Sequence, residues 1–270
     1  MPSVADNRRM FSQTWRWSEA GDEWSARWGG TERFWQEAIL PRIQAFVPAG
    51  VILEIAPGFG RWTRYLKDLC RRLVLVDLSE RCIRECRERF AGETHIDYHV
   101  NDGYSLDMVA DRSVDFVFSF DSLVHAEADV LQAYLRQLAR KLKPDGAGFL
   151  HHSNLGAYRR SWRLVSAMPS ARLQHWLGGA GLFVDLRHWR APSMTAELFD
   201  EYCRQAGLQC IGQETVNWAG GRYLIDCFSL LTHPGSVWAR PNRVCPNRSF
   251  RQEAGRISKF SRLYPSRGCG

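Results

Sequence analysis

Between Val51 and Ser153 the chain alternates short apolar runs with charged stretches of helical period, and this alternation restricts its fold more than any other feature. The runs are 51–56 (VILEIA), 73–77 (LVLVD), 95–100 (HIDYHV), 114–120 (VDFVFSF) and 148–153 (GFLHHS). Between them RWTRYLKDLCRR, SERCIRECRERF and DVLQAYLRQLARKLK carry apolar residues at three- and four-residue spacing, the mark of one buried helical face. Strands that alternate with helices are joined by right-handed crossovers and pair in parallel. The pattern therefore predicts a doubly wound α/β domain. Beyond it, a capped helix over 195–207 precedes two apolar runs, 208–218 and 222–233, joined through Ala-Gly-Gly. These read as an antiparallel hairpin closing the sheet edge at seven strands.

The flanks differ. Residues 1–50 hold Trp15, Trp17, Trp24, Trp28, Phe34 and Trp35 with few strand signals and read as a helical cap or lid. Thr31 opens an amphipathic helix that Pro41 is expected to break. Aromatic faces stack on adenine or sugar rings, and Trp28, before Gly29-Gly30, is the one singled out as a ligand contact. Pro144-Asp-Gly146 reads as a turn before the fifth strand, and 154–192, rich in Arg, Trp, Gly and Ser, as an insertion. The division expected is 1–50 cap, 51–233 sheet domain with that insertion, and 234–270 a basic tail with a helix over Ser249–Tyr264. Such a helix docks on its own domain or on a second subunit, so a homo-oligomer is open.

Composition serves to exclude. Hydrophobic residues make up 45% and charged residues 24%, and no apolar run approaches the roughly 20 residues of a bilayer span. No apolar stretch follows the first arginines, so a cytoplasmic location is expected. Eight cysteines without a Cys-x-x-Cys pair read as reduced thiols rather than zinc ligands. The net charge of +7 resides entirely in the tail from Trp238, so the body is neutral and nucleic acid is not the expected partner.

Two glycines, Gly58 and Gly60, sit where the first strand turns into its helix. That turn lies at the carboxyl end of the sheet, where ligands bind, and the helix start favours a negative group. Asp77 ends the second strand, placed to accept from ribose hydroxyls, so the ligand contains a nucleoside. The third glycine of a dinucleotide fingerprint would fall at Thr63, which weakens a nicotinamide reading. Glu54 would repel a pyrophosphate and welcome an amine such as that of S-adenosylmethionine.

Glu54-Ile-Ala-Pro-Gly58-Phe-Gly60, Val76-Asp77 and Asn101-Asp102-Gly103 together resemble the class I S-adenosylmethionine-dependent methyltransferases over roughly 48–153. The resemblance implies a Rossmann-like methyltransferase fold. It also implies a cofactor set in which Glu54, Gly58 and Gly60 hold the methionine portion, Asp77 the ribose, and Asp102, Gly103 and Tyr104 the adenine, with Phe120 beside them. Ala56-Pro57 departs from the usual small residue and glycine.

Methyl transfer needs an aligned nucleophile, a proton acceptor and exclusion of water. The ends of strands four and five offer Asp121, His125, His151 and His152. If 121–125 is helical, Asp121 and His125 share a face and suit one divalent ion such as magnesium, completed by Glu127, Asp129, a histidine or substrate oxygens. In ubiquinone O-methyltransferases an acid and a histidine at these relative positions are implicated in metal binding, and this chain is similar there, with Val124 replacing a middle acid. Without a metal, His125 is a base or a wall residue. His151 and His152 face opposite sides of a strand, with His152 favoured as base and His151 as core. His95 and His99 read as structural, and Arg159, Arg160 and Arg163 as a solvated face or an anion contact.

SFDSLVHAEADVLQAYLRQLARKLKPDGAGFLHHSN and NRSFRQEAGRISKFSRLY are similar to bacterial sugar O-methyltransferases. This implies a sugar hydroxyl, such as that of a short methylated mannoside in polysaccharide biosynthesis, as acceptor. A small-molecule or quinone O- or N-methyltransferase is the alternative. A nucleic-acid methyltransferase fits less well, because no Asn-Pro-Pro-Tyr or Asp-Pro-Pro-Tyr motif follows the fourth strand. A non-catalytic cofactor-binding module is a further reading.

Overall fold

The structure, a computed structural model, describes residues 3–180, 182–184, 189–217, 222–250 and 252. Helices α1 (Val4–Arg9), α2 (Thr31–Phe34) and α3 (Leu40–Ile43) lead into strand β1 (Ala49–Ile55). There follow α4 (Thr63–Leu66), β2 (Cys70–Asp77), α5 (Glu80–Arg89), β3 (Ile96–Val100), β4 (Val114–Ser119), α6 (Ala128–Lys141) and β5 (Leu142–Ser153). The chain continues through α7 (Arg159–Ser166), α8 (Ala171–Gly179), α9 (Ala196–Ala206), β6 (Gln209–Val216), β7 (Asp226–Thr232) and β8 (Val244–Asn247). Among the described residues these strands form one sheet of eight, in the order β3-β2-β1-β4-β5-β7-β6-β8.

The first five strands pair in parallel, and β7 inserts antiparallel between β5 and β6. The expected α/β sheet is thus observed, with one strand more than the seven expected. The extra strand, β8, pairs parallel to β6 in what the sequence presented as tail. Its side chains, Val-Cys-Pro-Asn, carry no alternating apolar signal, so only the edge of β6 reveals it. The helix expected over Ser249–Tyr264 lies mostly outside the described residues; Phe250 belongs to a turn and is fully buried.

Because helices cover both faces, the strands bury both sets of side chains, as continuous apolar runs require. Phe116, Phe118, Phe149 and Phe228 point to the face covered by the N-terminal segment, against Trp35, Ile39 and Phe250. Val117 and Leu150 point to the other, against Leu131, Leu135, Leu138 and Phe199. The cap shares one core with the sheet, and Arg42 ties the two covalently distant parts. Its guanidinium makes a bidentate pair with Glu214 of β6 at 2.7 and 2.8 Å, both groups buried, and Asn247 of β8 donates to the same carboxylate.

Three local readings change. Pro41 does not end its helix: a π turn over Trp35–Ile39 carries the chain into α3 with Pro41 in the first turn, where a missing N–H costs nothing. Gly30, not a side chain, precedes α2, and the Thr31 hydroxyl donates to Asp22 at 2.6 Å instead. Pro144-Asp-Gly146 is a bulge within β5, where pairing with β4 jumps from Leu142 to Ala147.

Candidate active site

At the carboxyl end of β1 the backbone turns through Ala56, Gly58 and Gly60, all with positive φ (+58°, +59° and +80°). The Ala56 amide still donates to Val76 O at 2.7 Å, which holds the turn against β2. A side chain at Gly60 would meet the Phe90 ring at 2.5 Å and one at Gly58 the Trp17 ring at 2.7 Å, so conformation and crowding both demand glycine. Asp77, ending β2, accepts from the Gly58 amide at 3.2 Å and the Ser79 amide at 2.8 Å. Burial raises its pKa to about 6, with those amides holding it down.

A cleft open to solvent extends from this turn across the ends of β2 and β4. Gly58, Asp77, Gly103, Phe120 and Asp121 line it, together with Val130 and Tyr134 of α6. Its roof is the N-terminal segment: Val4, Asn7, Phe11, Trp17 and Trp24. Trp17 stacks on Phe59 of the glycine turn at 4.3 Å, and Val4 stands where a Gly103 side chain would be, 2.6 Å away. Residues of the N-terminal 1–50 segment therefore roof the cleft, and the tryptophans of that segment that line it are Trp17 and Trp24. Trp28 is buried between Phe34 and Phe250 at 4.8 and 5.0 Å and does not line the cleft.

Four expected cofactor residues stand back from the cleft. Glu54 is fully buried beneath the turn and accepts from the Thr63 hydroxyl at 2.6 Å. Burial, with Asp77 nearby, raises its pKa to about 8. It thus positions the start of α4. Asp102 is exposed and accepts from the Ser105 and Tyr104 amides, which lower its pKa. It shapes the loop that presents Gly103, while Tyr104 bonds outward to Asp129 at 3.0 Å. Gly60 packs behind the turn against Phe90.

At the other end of the cleft a chain of buried charges joins distant segments. Asp121, with φ +64°, pairs through Oδ2 with Arg61 at 2.9 Å, and its Oδ1 lies 3.8 Å from Arg190. Arg190 in turn pairs with Asp226 at 2.6 Å. Burial works against the Asp226 carboxylate, yet Arg190 and His151 hold it well below the usual range. The His151 Nδ1 accepts from the Asp121 amide at 3.1 Å, which leaves the proton on Nε2, 3.8 Å from Asp226. Arg61 also lies over Trp62, 4.4 Å from the ring centroid; burial lowers its pKa, with Asp121 offsetting that effect.

The two histidines are placed differently from what the sequence suggested. Their parity is as read, but His152 faces away from the cleft, fully buried, stacked on Phe199 at 4.2 Å and bonded to Ser229 at 2.8 Å. Burial drops its pKa to about 3. It is a core residue and not a base. His151 is the one beside Phe120 at the cleft end, 4.7 Å between rings.

The metal pair does not assemble. Only Leu123–His125 is helical, as a 3₁₀ turn, so the four-residue alignment of Asp121 with His125 is lost. A divalent ion at Asp121 would meet two guanidinium groups. The His125 Nδ1 is committed as donor to Trp189 O at 2.6 Å, and burial, then Arg190, lowers its pKa to about 4. The residues meant to complete the set are occupied elsewhere: Glu127 accepts from the Ser193 hydroxyl and Asp129 from Tyr104. Among the described residues no three His, Cys, Asp or Glu side chains converge as a metal site. The donor set does not fit magnesium. The seven described cysteines are free thiols, and His95 is structural in its contact, bonding Lys67 O at 2.9 Å.

Sequence reading missed Arg61, Asn7, Phe11, Arg190 and Asp226. Only Asp226 left a signal, a lone acid in the apolar run YLIDCFSLL.

Residues 52–146 match the family described as a methyltransferase domain. The ribosomal RNA small subunit methyltransferase A of Geobacter sulfurreducens is 39% identical over 74 residues, which cover 26% of this chain. The match spans only 27% of that curated relative's length. Among solved structures, the N-methyltransferase NodS of Bradyrhizobium japonicum, in complex with S-adenosyl-L-homocysteine, is similar with a TM-score of 0.55 at 16% identity, covering 87% of this chain and all of the other. The methyltransferase bound to the Haloferax volcanii Trm112 methyltransferase activator gives 0.52 at 18% identity, over 78% of this chain and 94% of that one. The fold is the Rossmann-like methyltransferase fold, and residues 52–146 match the methyltransferase domain family.

Proposed function

We propose that the protein is an S-adenosylmethionine-dependent O-methyltransferase whose acceptor is a hydroxyl of a sugar or short methylated mannoside, like the bacterial sugar O-methyltransferases its sequence resembles. The observation that carries this reading is the cleft itself, with Asp77 and the glycine turn at one end, Asp121 at the other and aromatic side chains across its roof. Asp77 would take the ribose hydroxyls, and the Gly58 and Gly103 backbones admit the cofactor closely. Bound S-adenosylmethionine supplies an electrophilic methyl group on a sulfonium.

Phe11 and Trp24 offer the flat apolar faces on which the C–H face of a sugar ring stacks. The Asn7 amide nitrogen donates to His125 O at 3.0 Å, and its buried Oδ1 has no partner among the described residues. A hydroxyl donating to that oxygen would be held at the roof of the cleft. The lid excludes water from the transfer. The acceptor oxygen bonds to the methyl carbon as the carbon–sulfur bond breaks, and the hydroxyl proton must then leave. With Nδ1–H bonded to Trp189 and the ring beside Phe11, His125 Nε2 is the acceptor assigned to that proton. No step requires a metal, which departs from the magnesium expected of the sugar enzymes.

The test is methyl transfer to a panel of short methylated mannosides, phenols, amines and RNA, each with magnesium and with EDTA. Mannoside methylation insensitive to EDTA is the expected result. Turnover confined to amines, phenols or RNA would overturn the acceptor, and chelator-sensitive turnover would overturn the metal-free reading.

A further inference from the structure

The segment leaving the carboxyl end of β5 has a surface unlike the rest of the molecule. Helix α8 buries none of its nine residues. An isolated helix of that length is marginal in water, so a face of α8 is expected to find cover. Leu173 and Trp176, three residues apart on one face, are 44% and 65% exposed. Leu164 of α7 and Leu182, just beyond α8, are 60% and 48% exposed. Single exposed leucines need no explanation; four large apolar side chains within twenty residues do.

Charge identifies the partner. Arg159, Arg160, Arg163 and Arg172 are all exposed, and no Asp or Glu occurs between 154 and 184. Helices carrying exposed leucine and tryptophan beside arginine are suited to a bilayer interface: the apolar side chains enter the acyl boundary, the indole sits among headgroups and the guanidiniums meet phosphates. A single-stranded nucleic acid would use the arginines and the indole but leave the leucines in water. We propose that α7 and α8 dock the protein on an anionic lipid surface. This surface is independent of the acceptor assigned to the cleft, yet both stand at the carboxyl edge of the sheet, since β5 delivers the chain to α7 where β4 delivers it to Asp121. Docking therefore brings the cleft's edge of the sheet toward the membrane.

Co-sedimentation of the full chain with vesicles tests this, comparing pure phosphatidylcholine with phosphatidylcholine mixed with phosphatidylglycerol. The wild type is expected to bind the anionic vesicles, less as salt is raised. The pairs Leu173→Ser with Trp176→Ser, and Arg160→Glu with Arg163→Glu, are each expected to weaken binding roughly tenfold or more. Both should leave S-adenosylhomocysteine affinity and the thermal midpoint unchanged, since all four residues are exposed. Failure to bind anionic vesicles would overturn the proposal, as would binding that neither pair weakens. A dimer that either pair converts to monomer, or RNA binding lost in their place, would assign the surface to another partner.

Discussion

The two ends of the cleft are built differently. The glycine-turn end comes from segments close together at successive strand ends: Gly58, Asp77 and Gly103 are each fixed by local backbone geometry. The other end comes from Arg61, Asp121, Arg190 and Asp226, which meet only through the fold. Their electrostatics differ in sense as well. Under the glycine turn, burial raises the carboxyl groups Glu54 and Asp77; at the far end, burial keeps His125 neutral while charges pair. One end is held by backbone and the other by ions, and the two should fail under different insults.

The largest difference is expected from Asp226→Ala. Removing one partner of a buried ion pair strands the other and costs about 3–5 kcal/mol. Thermal unfolding should therefore fall by roughly 10 °C, while a cofactor-end substitution leaves it far less changed. Equal effects from both ends would break the distinction.

Acidity should separate the ends next. His125 and His152 have pKa values near 4 and 3, below the 6.5 of the unfolded chain. Their contribution is complete above about pH 6.5 and is lost as pH falls toward 4 and 3, by about 3 kcal/mol or more each. Glu54 runs the other way: its pKa, near 8 in the fold against 4.5, gives a contribution complete below 4.5 and lost as pH rises through 8. Denaturant melts across this range should show stability falling from pH 6.5 to 8, and Glu54→Gln should flatten that limb alone. A limb unchanged by Glu54→Gln would contradict the burial assigned to it.

Asp77→Ala should sharpen the comparison through binding. Loss of the ribose clamp and of its bonds to Gly58 and Ser79 is expected to weaken S-adenosylhomocysteine binding by at least about tenfold, or about 1.4 kcal/mol. Calorimetric titration reads this directly. Trp17→Ala should have the smallest effect: its stack on Phe59 is worth about 0.5–1.5 kcal/mol, so affinity falls severalfold with little change in unfolding.

The same contrast explains what the sequence disclosed. The parallel sheet, the glycine turn and Asp77 were legible because apolar periodicity and glycine spacing are local signals. Glu54 and Asp102 were correctly placed at strand ends, but spacing says where a residue lies and not what it bonds, so their contacts with Thr63 and with the Ser105 and Tyr104 amides were not legible. Strand parity was right for His151 and His152, but which face held the cleft depended on the cap, whose packing no local pattern encodes. The metal pair failed because Asp121 adopts a left-handed conformation next to two arginines, one of them 69 residues away.

Calorimetric titration of S-adenosylhomocysteine into the intact protein, in EDTA and again in magnesium, tests the central claim that the cleft is a metal-independent cofactor site. One site per chain with the same affinity in both conditions is predicted. No binding, or binding that appears only with magnesium, would contradict it.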